Sequence, residues 1–316
     1  MRLMRIGYLF LLALTTACAH ATSHPIGDFH QHLFGPGPQE LTPNYPRVTA
    51  RELIPMLDSA GIRYALLLSV AYMFSNPNRP PVANEYARVK VENDWTADQA
   101  ALYPGRLRAI CGIDPLRDYA LTEIERCAAD PRLRHGLKLH FGNSDVQLEI
   151  PEQLEKVRRV FRAANAHGMA IVVHLHPSVT MKRPYGTTYA RIFLNEVIPA
   201  APDVPIQIAH LTGSGDFDEP AVQEALDVFV RAIADHDPRM KNVYFDMSGI
   251  VDIAAPQRAS RVTARLRQLG IERILFGSDG AVNGNSPLVT WRTFRKLPLS
   301  EHEFRVIEGN IPPYMK

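Results

Sequence analysis

The residues of this chain whose types and spacing could do chemistry are paired histidines, one lysine and one aspartate. The run Asp28-Phe29-His30-Gln31-His32 sets His30 and His32 on one face of an extended segment, because side chains alternate along a strand. Two imidazoles then converge on one point. Lys138 and His140 form a second like-facing pair and His174 and His176 a third, followed by His210 and by Asp279 at the end of Phe276-Gly277-Ser278-Asp279. The spacing is regular: 36 residues separate Lys138 from His174, and another 36 separate His174 from His210. Zinc and similar borderline ions take imidazole nitrogen together with a carboxylate, and a catalytic site keeps an open position where water becomes a nucleophile near neutral pH. Three histidines with Asp279 supply such a set.

Positioning these residues falls to an alternation of short apolar runs and helical periodicity that continues to the C-terminus. Strands are expected at Asp28-His32, Tyr64-Val70, Leu107-Ile113, Gly136-Phe141, Ile171-His176, Ile206-His210, Val243-Met247 and Ile274-Ser278. Helices are expected between them at Ala50-Ser59, Asn84-Leu102, Glu152-His167, Glu219-Ala234 and Ser260-Leu269, with Gly61, Gly168 and Gly270 placed to end three of them. Phe34 to Arg47 reads as a Pro/Gly-rich loop. Eight strand-helix units without a Gly-rich phosphate-binding turn predict an α/β fold, a single-domain (β/α)8 TIM barrel, over residues 22–316. Each candidate residue then falls at the C-terminal end of a strand, where barrels build their active sites.

With 46% hydrophobic and 22% charged residues, the composition is that of a globular protein rather than a disordered one. The formal net charge of +2 includes Arg2 and Arg5, so the body is near neutral and gives no footprint for nucleic acid. Residues 1–21 read as a signal peptide, in which Arg2 and Arg5 precede an apolar run, Ile6 to Leu14, too short to span a bilayer. Leu14-Thr15-Thr16-Ala17-Cys18 permits lipidation at Cys18, and ordinary cleavage around Ala19 to Ala21 is an equal alternative. The expectation is an exported protein, periplasmic or lipid-anchored, touching a membrane only through that anchor. Cys111 and Cys127 remain, and their apolar surroundings favour two buried free thiols over a bridge.

The ordered set of motifs resembles the amidohydrolase superfamily, in the branch that includes aminocarboxymuconate-semialdehyde decarboxylase. Besides the histidine strands, the marks are Asn93-Asp94-Trp95 with Tyr103-Pro104-Gly105-Arg106, and Gly136-Leu137-Lys138-Leu139-His140. The resemblance covers nearly the whole mature chain. It implies that His30, His32, His174 and Asp279 bind the principal metal, that His210 ligates a second ion or polarises the substrate, and that Asp279 shuttles the proton. It further implies a hydrolase or, less often, a decarboxylase. Lys138 sits where binuclear members of the superfamily carry a carboxylated lysine bridging two ions. A cationic substrate contact and a structural ion pair are the alternatives for it, so one or two zinc ions are expected.

A lone histidine is usually a polar core residue, but two like-facing imidazoles inside a barrel are hard to satisfy without an ion. His140 and His176 divide evenly between substrate contacts and neighbours' hydrogen bonds. Asp28 orients rather than binds, and Asn93, Asp94, Trp95, Asp246 and Ser248 support or pack, with a pocket role open for the last two. His135, His167, His236 and His302 are assigned to solvent. The first expectation for function is hydrolysis of an ester, lactone or amide of a small molecule by metal-activated water. The alternatives are non-oxidative decarboxylation at a mononuclear site and a metal-binding barrel without chemistry. Arg79, Lys182 and Arg183, on loops over the strand ends, hint at an anionic substrate, and a homo-oligomer is compatible with all three readings.

Overall fold

The computed structural model describes residues 23–45, 47–177, 183–214, 217–250, 255–280, 284 and 286–316. Its frame is eight short strands: β1 Gly27–Gln31, β2 Tyr64–Leu68, β3 Leu107–Ile113, β4 Gly136–His140, β5 Ala170–His174, β6 Ile206–Ile208, β7 Val243–Asp246 and β8 Ile274–Leu275. Runs such as Ala-Ile-Val-Val in β5 suit a strand buried on both faces, which parallel pairing under helices requires. All seven neighbouring pairs are parallel and follow chain order. β8 returns to β1: Phe29 N donates to Phe276 O at 2.9 Å and Asp279 N to His30 O at 2.9 Å. Gly277 makes this approach possible, since a Cβ there would stand 2.6 Å from His30 Cβ. The result is the single-domain (β/α)8 barrel read from the alternation.

The helices fall where the periodicity puts them, at Ala50–Ser59, Glu85–Ala101, Pro151–Ala166, Pro220–Ala234 and Pro256–Leu269. The last begins four residues before the expected Ser260 because Pro256 is suited to a first turn. For the same reason the expected loop from Phe34 carries a short helix, Pro36–Leu41. Between sheet and helices, Phe141, Phe161, Phe193, Phe229 and Phe245 meet edge to face at centroid distances of 5.8–6.4 Å. No helix among the described residues is long and apolar enough to cross a membrane. The leader, including Cys18, lies outside the described residues.

One expectation is corrected. Cys111 and Cys127 form a disulfide rather than two free thiols. Cys111 sits on β3 and Cys127 on the helix Ala120–Ala129 packed against it, which brings their Cα atoms to 6.3 Å, within bridging range. Apolar surroundings bury a bridge as readily as they bury two thiols.

Candidate active site

Strand alternation holds at β1, where His30 and His32 turn into the barrel mouth with ring centroids 5.2 Å apart. Each ring is held from behind. His30 Nδ1 donates to Asp246 Oδ2 at 2.9 Å, and His32 Nδ1 donates to the Leu68 carbonyl at 2.7 Å. Both bonds select the tautomer whose Nε2 lone pair faces inward. Asp246 is itself fixed by Gln207 Nε2 at 2.6 Å, Ser248 Oγ at 2.5 Å and the backbone N–H groups of His210 and Ser248, each at 3.1 Å. Burial raises the cost of its charge, but His30 and these donors outweigh that and hold the carboxyl well below its usual range.

Asp279 closes the site from the end of β8, in the left-handed region at φ 51°. The ligand-capable atoms of His30, His32 and Asp279 lie within 4.8 Å of one another, with His32 Nε2 3.9 Å from Asp279 Oδ1. His174 enters from β5, its ring stacked on His140 at 3.8 Å and 4.9 Å from the ring of His210. His174 Nε2 and Asp279 Oδ1 are both buried without a hydrogen-bond partner. Orphaned acceptors of this kind are expensive in an apolar interior. Burial also pushes the imidazoles toward neutrality: His30 falls to about 3, and His32, His140 and His174 fall well below their ordinary value. Neutral inward-facing imidazoles and a carboxylate, with His174 Nε2 and Asp279 Oδ1 unpartnered, are the donors a borderline divalent cation requires, so the residues fit such an ion.

Lys138 is fully buried among them, with Nζ 3.3 Å from His30 Nε2. Burial lowers its pKa, opposed by the charges of Asp246 and Asp279. Asp279 is driven the other way, up, again chiefly by burial. His210 arrives from β6 through a backbone that few residues adopt: His210, Leu211 and Thr212 run at φ 57°, 46° and 72°. None is glycine, and such strain persists only where surrounding contacts impose it. Here Nδ1 of His210 donates to the Ser248 carbonyl at 2.9 Å, which holds the ring over the barrel mouth.

His32, Lys138, His174, His210 and Asp279 form the floor of a cavity of about 390 Å³, also lined by His140. Phe34, Tyr45 and Tyr72 supply rings to its walls, and Asn76, Asn143 and Arg79 supply polar groups. Of the expected site residues His176 alone stands apart, its ring against Tyr185 at 4.3 Å and Nε2 4.0 Å from Glu219 Oε2. Asp28 accepts from Gln31 Nε2 at 2.7 Å, Ser278 N at 3.0 Å and the backbone N of His30 at 3.3 Å, so its carboxylate braces the seam between β1 and the segment after β8 and, among the described residues, touches no ligand side chain. Asn93 pairs with the backbone of Gly112 and with Glu123, a structural role. Arg183 is bound by Asp145 at 2.5 and 2.6 Å, and Lys182 lies outside the described residues. Gln207, Asn76 and Asn143 were not singled out from sequence; only the place of Gln207, on the strand that leads to His210, could have pointed to one of them.

Known proteins share this fold. The fold is similar to that of 5-carboxyvanillate decarboxylase LigW from Sphingomonas paucimobilis, with 17% identity over 91% of this chain and 97% of that one, at a TM-score of 0.62. It is similar to a dihydroxybenzoic acid decarboxylase from Polaromonas sp. JS666 with bound manganese and 2-nitroresorcinol, at 15% identity, 90% and 95% coverage and a TM-score of 0.60. A zinc-bound amidohydrolase from Burkholderia multivorans gives 15%, 90%, 96% and 0.59. No curated protein matches the chain. The amidohydrolase family model matches residues 28–308, and the chain therefore belongs to the amidohydrolase family.

Proposed function

We propose that this chain is a metal-dependent carboxy-lyase that releases CO2 from a small aromatic acid, with one divalent ion, zinc first among the candidates, held by His30, His32, His174 and Asp279. The observation that carries this reading is the cavity itself: rings of Phe34, Tyr45 and Tyr72 face a floor of metal donors and Lys138, with Arg79 among the polar groups. A ring-sized acid suits that volume and lining. Similarity of fold to two aromatic-acid decarboxylases supports it.

The ion would supply a fixed positive charge that draws on the acid's oxygens and on the electron density of its ring. The chain's own residues do the rest. Lys138 adds a buried cation to the floor, and Asp279 Oδ1, buried and without a partner, can carry a proton. The bond between ring carbon and carboxyl carbon breaks, its electron pair stays on the ring carbon, CO2 leaves, and that carbon takes the proton from Asp279. His210, held through Nδ1, presents its other face to the substrate and polarises it. His140 extends the same wall.

Hydrolysis of an ester, lactone or amide is the second reading, favoured by the position of Lys138, which could bridge two ions if carboxylated. Zinc-supplemented protein offered hydroxylated benzoates, with CO2 release followed, and separately aryl esters and lactones, tests the choice. The expected result is CO2 release, about one ion per chain, no added CO2 mass on Lys138, and a loss of at least roughly 10²-fold in Asp279→Asn. Ester or lactone hydrolysis in place of CO2 release would overturn it, and silence in both would leave a binding barrel. We also infer that residues 1–21 export the protein, cleaved or lipidated at Cys18; the Cys111–Cys127 bridge supports an oxidising compartment.

A further inference from the structure

We propose that Tyr314 is a positioning residue for His30, acting from the opposite end of the barrel through Gln207 and Asp246 and so setting how tightly the site holds its metal. The inference rests on the reading of His30 as a metal ligand given above. Tyr314 lies in a short 3-10 turn, Pro313–Met315, that enters the barrel. Its ring is buried against Leu66, Leu68, Ile110, Ala170 and Val172, which alternation turns to the inside of β2, β3 and β5. Arg108 and Ala170 stand at the starts of β3 and β5, so this segment fills the end of the barrel away from the mouth. It is anchored there. Arg108 Nη1 donates to the Tyr314 carbonyl, Met315 N to the Pro312 carbonyl at 2.9 Å, and Asn310 Nδ2 to the carbonyls of Ile271 and Ile274 at 3.0 and 2.7 Å.

From that end a continuous hydrogen-bond path leads to the donor set. Tyr314 Oη donates to Gln207 Oε1, and Gln207 Nε2 donates to Asp246 Oδ2 at 2.6 Å and to the Phe29 carbonyl at 3.2 Å. The same Asp246 oxygen accepts from His30 Nδ1 at 2.9 Å. Direction is forced at each step. A carboxylate only accepts, so the Gln207 amide must turn its NH2 to Asp246, and its oxygen then needs a donor, which the phenol O–H supplies. Gln207, Asp246 and His30 are all 0% exposed, so bulk water has no access to replace that O–H. Without it the Gln207 oxygen is a buried acceptor with nothing to accept, and the amide loosens its hold on Asp246. Ser248 and two backbone N–H groups hold Asp246 independently through Oδ1, so His30 is loosened rather than released.

Two measurements test this without relying on turnover: zinc affinity by competition with a chromogenic chelator, and the NMR signal of the His30 Nδ1–H proton in zinc-free protein, assigned by its loss in His30→Gln. Tyr314→Phe keeps the ring that fills the barrel and removes only the O–H. It should weaken zinc binding about three- to tenfold, the worth of one hydrogen bond, and displace the His30 signal. In a Gln207→Met background the path is already cut. Adding Tyr314→Phe there should change zinc affinity by less than about twofold and leave the His30 signal where Gln207→Met alone puts it. A role in packing alone predicts instead a fall in thermal stability of the same size in both backgrounds, with zinc affinity unmoved. An unmoved His30 signal, unchanged zinc affinity in Tyr314→Phe, or an equal loss of affinity in both backgrounds would overturn the proposal. Thermal unfolding of each variant identifies a folding defect, and if Gln207→Met does not fold the two readouts of Tyr314→Phe decide alone. A displaced His30 signal in a protein that binds no zinc would sink the metal reading alone; tight zinc binding indifferent to Tyr314→Phe would sink this inference alone.

Discussion

Glu92 offers a prediction that is independent of any metal. Its side chain lies on the helix Glu85–Ala101, 3% exposed, with Oε1 buried and unpartnered. The other oxygen is met by the Gly35 backbone N–H, and a Cβ at Gly35 would stand 2.5 Å from it. Among the described residues no charged group offsets the burial, which pushes the carboxyl up from 4.5 to about 8. The sign follows from linkage: the folded state holds this proton more tightly than the unfolded one. The group's contribution is therefore fully present below pH 4.5 and is lost as the pH rises toward 8. Between pH 5 and pH 7 the loss approaches about 2–3 kcal/mol, taking 1.36 kcal/mol per pH unit over most of that interval. Glu92→Gln keeps the shape of the protonated acid and does not titrate. Urea unfolding of both proteins at pH 5 and pH 7 should show Glu92→Gln gaining on the wild type by about that amount between the two pH values. A stability difference that does not change with pH would refute the reasoning, and would mean that water or a hidden cation reaches the carboxylate.

Three further outcomes are expected. Asp246→Asn removes the charge behind His30 Nδ1 and should weaken zinc binding about 10–100-fold in competition with a chromogenic chelator, with the barrel still folded by circular dichroism. Cys127→Ser opens a covalent loop of sequence separation 16 and should cost roughly 3 kcal/mol of unfolding free energy, as should reduction of the wild type, whereas equal stability with and without reductant would argue against the bridge. Cys18→Ser should move the protein from membranes to the soluble periplasmic fraction if Cys18 is lipidated, and an unchanged soluble protein in both forms would remove the anchor.

The barrel was legible because buried parallel strands are written as short continuous apolar runs, and the candidate site because polar residues fall in or just after β1, β4, β5, β6 and β8. Alternation pairs His30 with His32 and turns Lys138 and His174 inward, whereas His210 and Asp279 lie beyond the ends of β6 and β8 and reach the site through left-handed backbone. Alternation fails where a strand stops: β5 ends at His174, so His176 follows its own loop to Tyr185 instead of the pocket. The support of the site was less legible. Asp246 acts on His30 across 216 positions, a contact that only the closed barrel creates, and Gln207 acts on Asp246 from the neighbouring strand β6. The disulfide was missed because apolar neighbours say nothing about whether two sulfurs face each other. Arg79 and Arg183 looked alike as loop cations, and their difference lies in Asp145, which captures one of them.

The seam between β8 and β1 has a consequence for how the protein acquires its site. Of the two backbone–backbone hydrogen bonds that join the β8 segment to β1 among the described residues, one runs from Asp279 N to His30 O, so two residues of the donor set are themselves part of the closure. Those residues stand 249 positions apart, and contacts of such separation form late, because their ordering entropy must be met before they give anything back. A chain emerging from its N-terminus would carry His30 and His32 long before Asp279 exists. Full coordination would thus become available only in the final step of barrel assembly, and tight metal uptake would report completed folding rather than guide it.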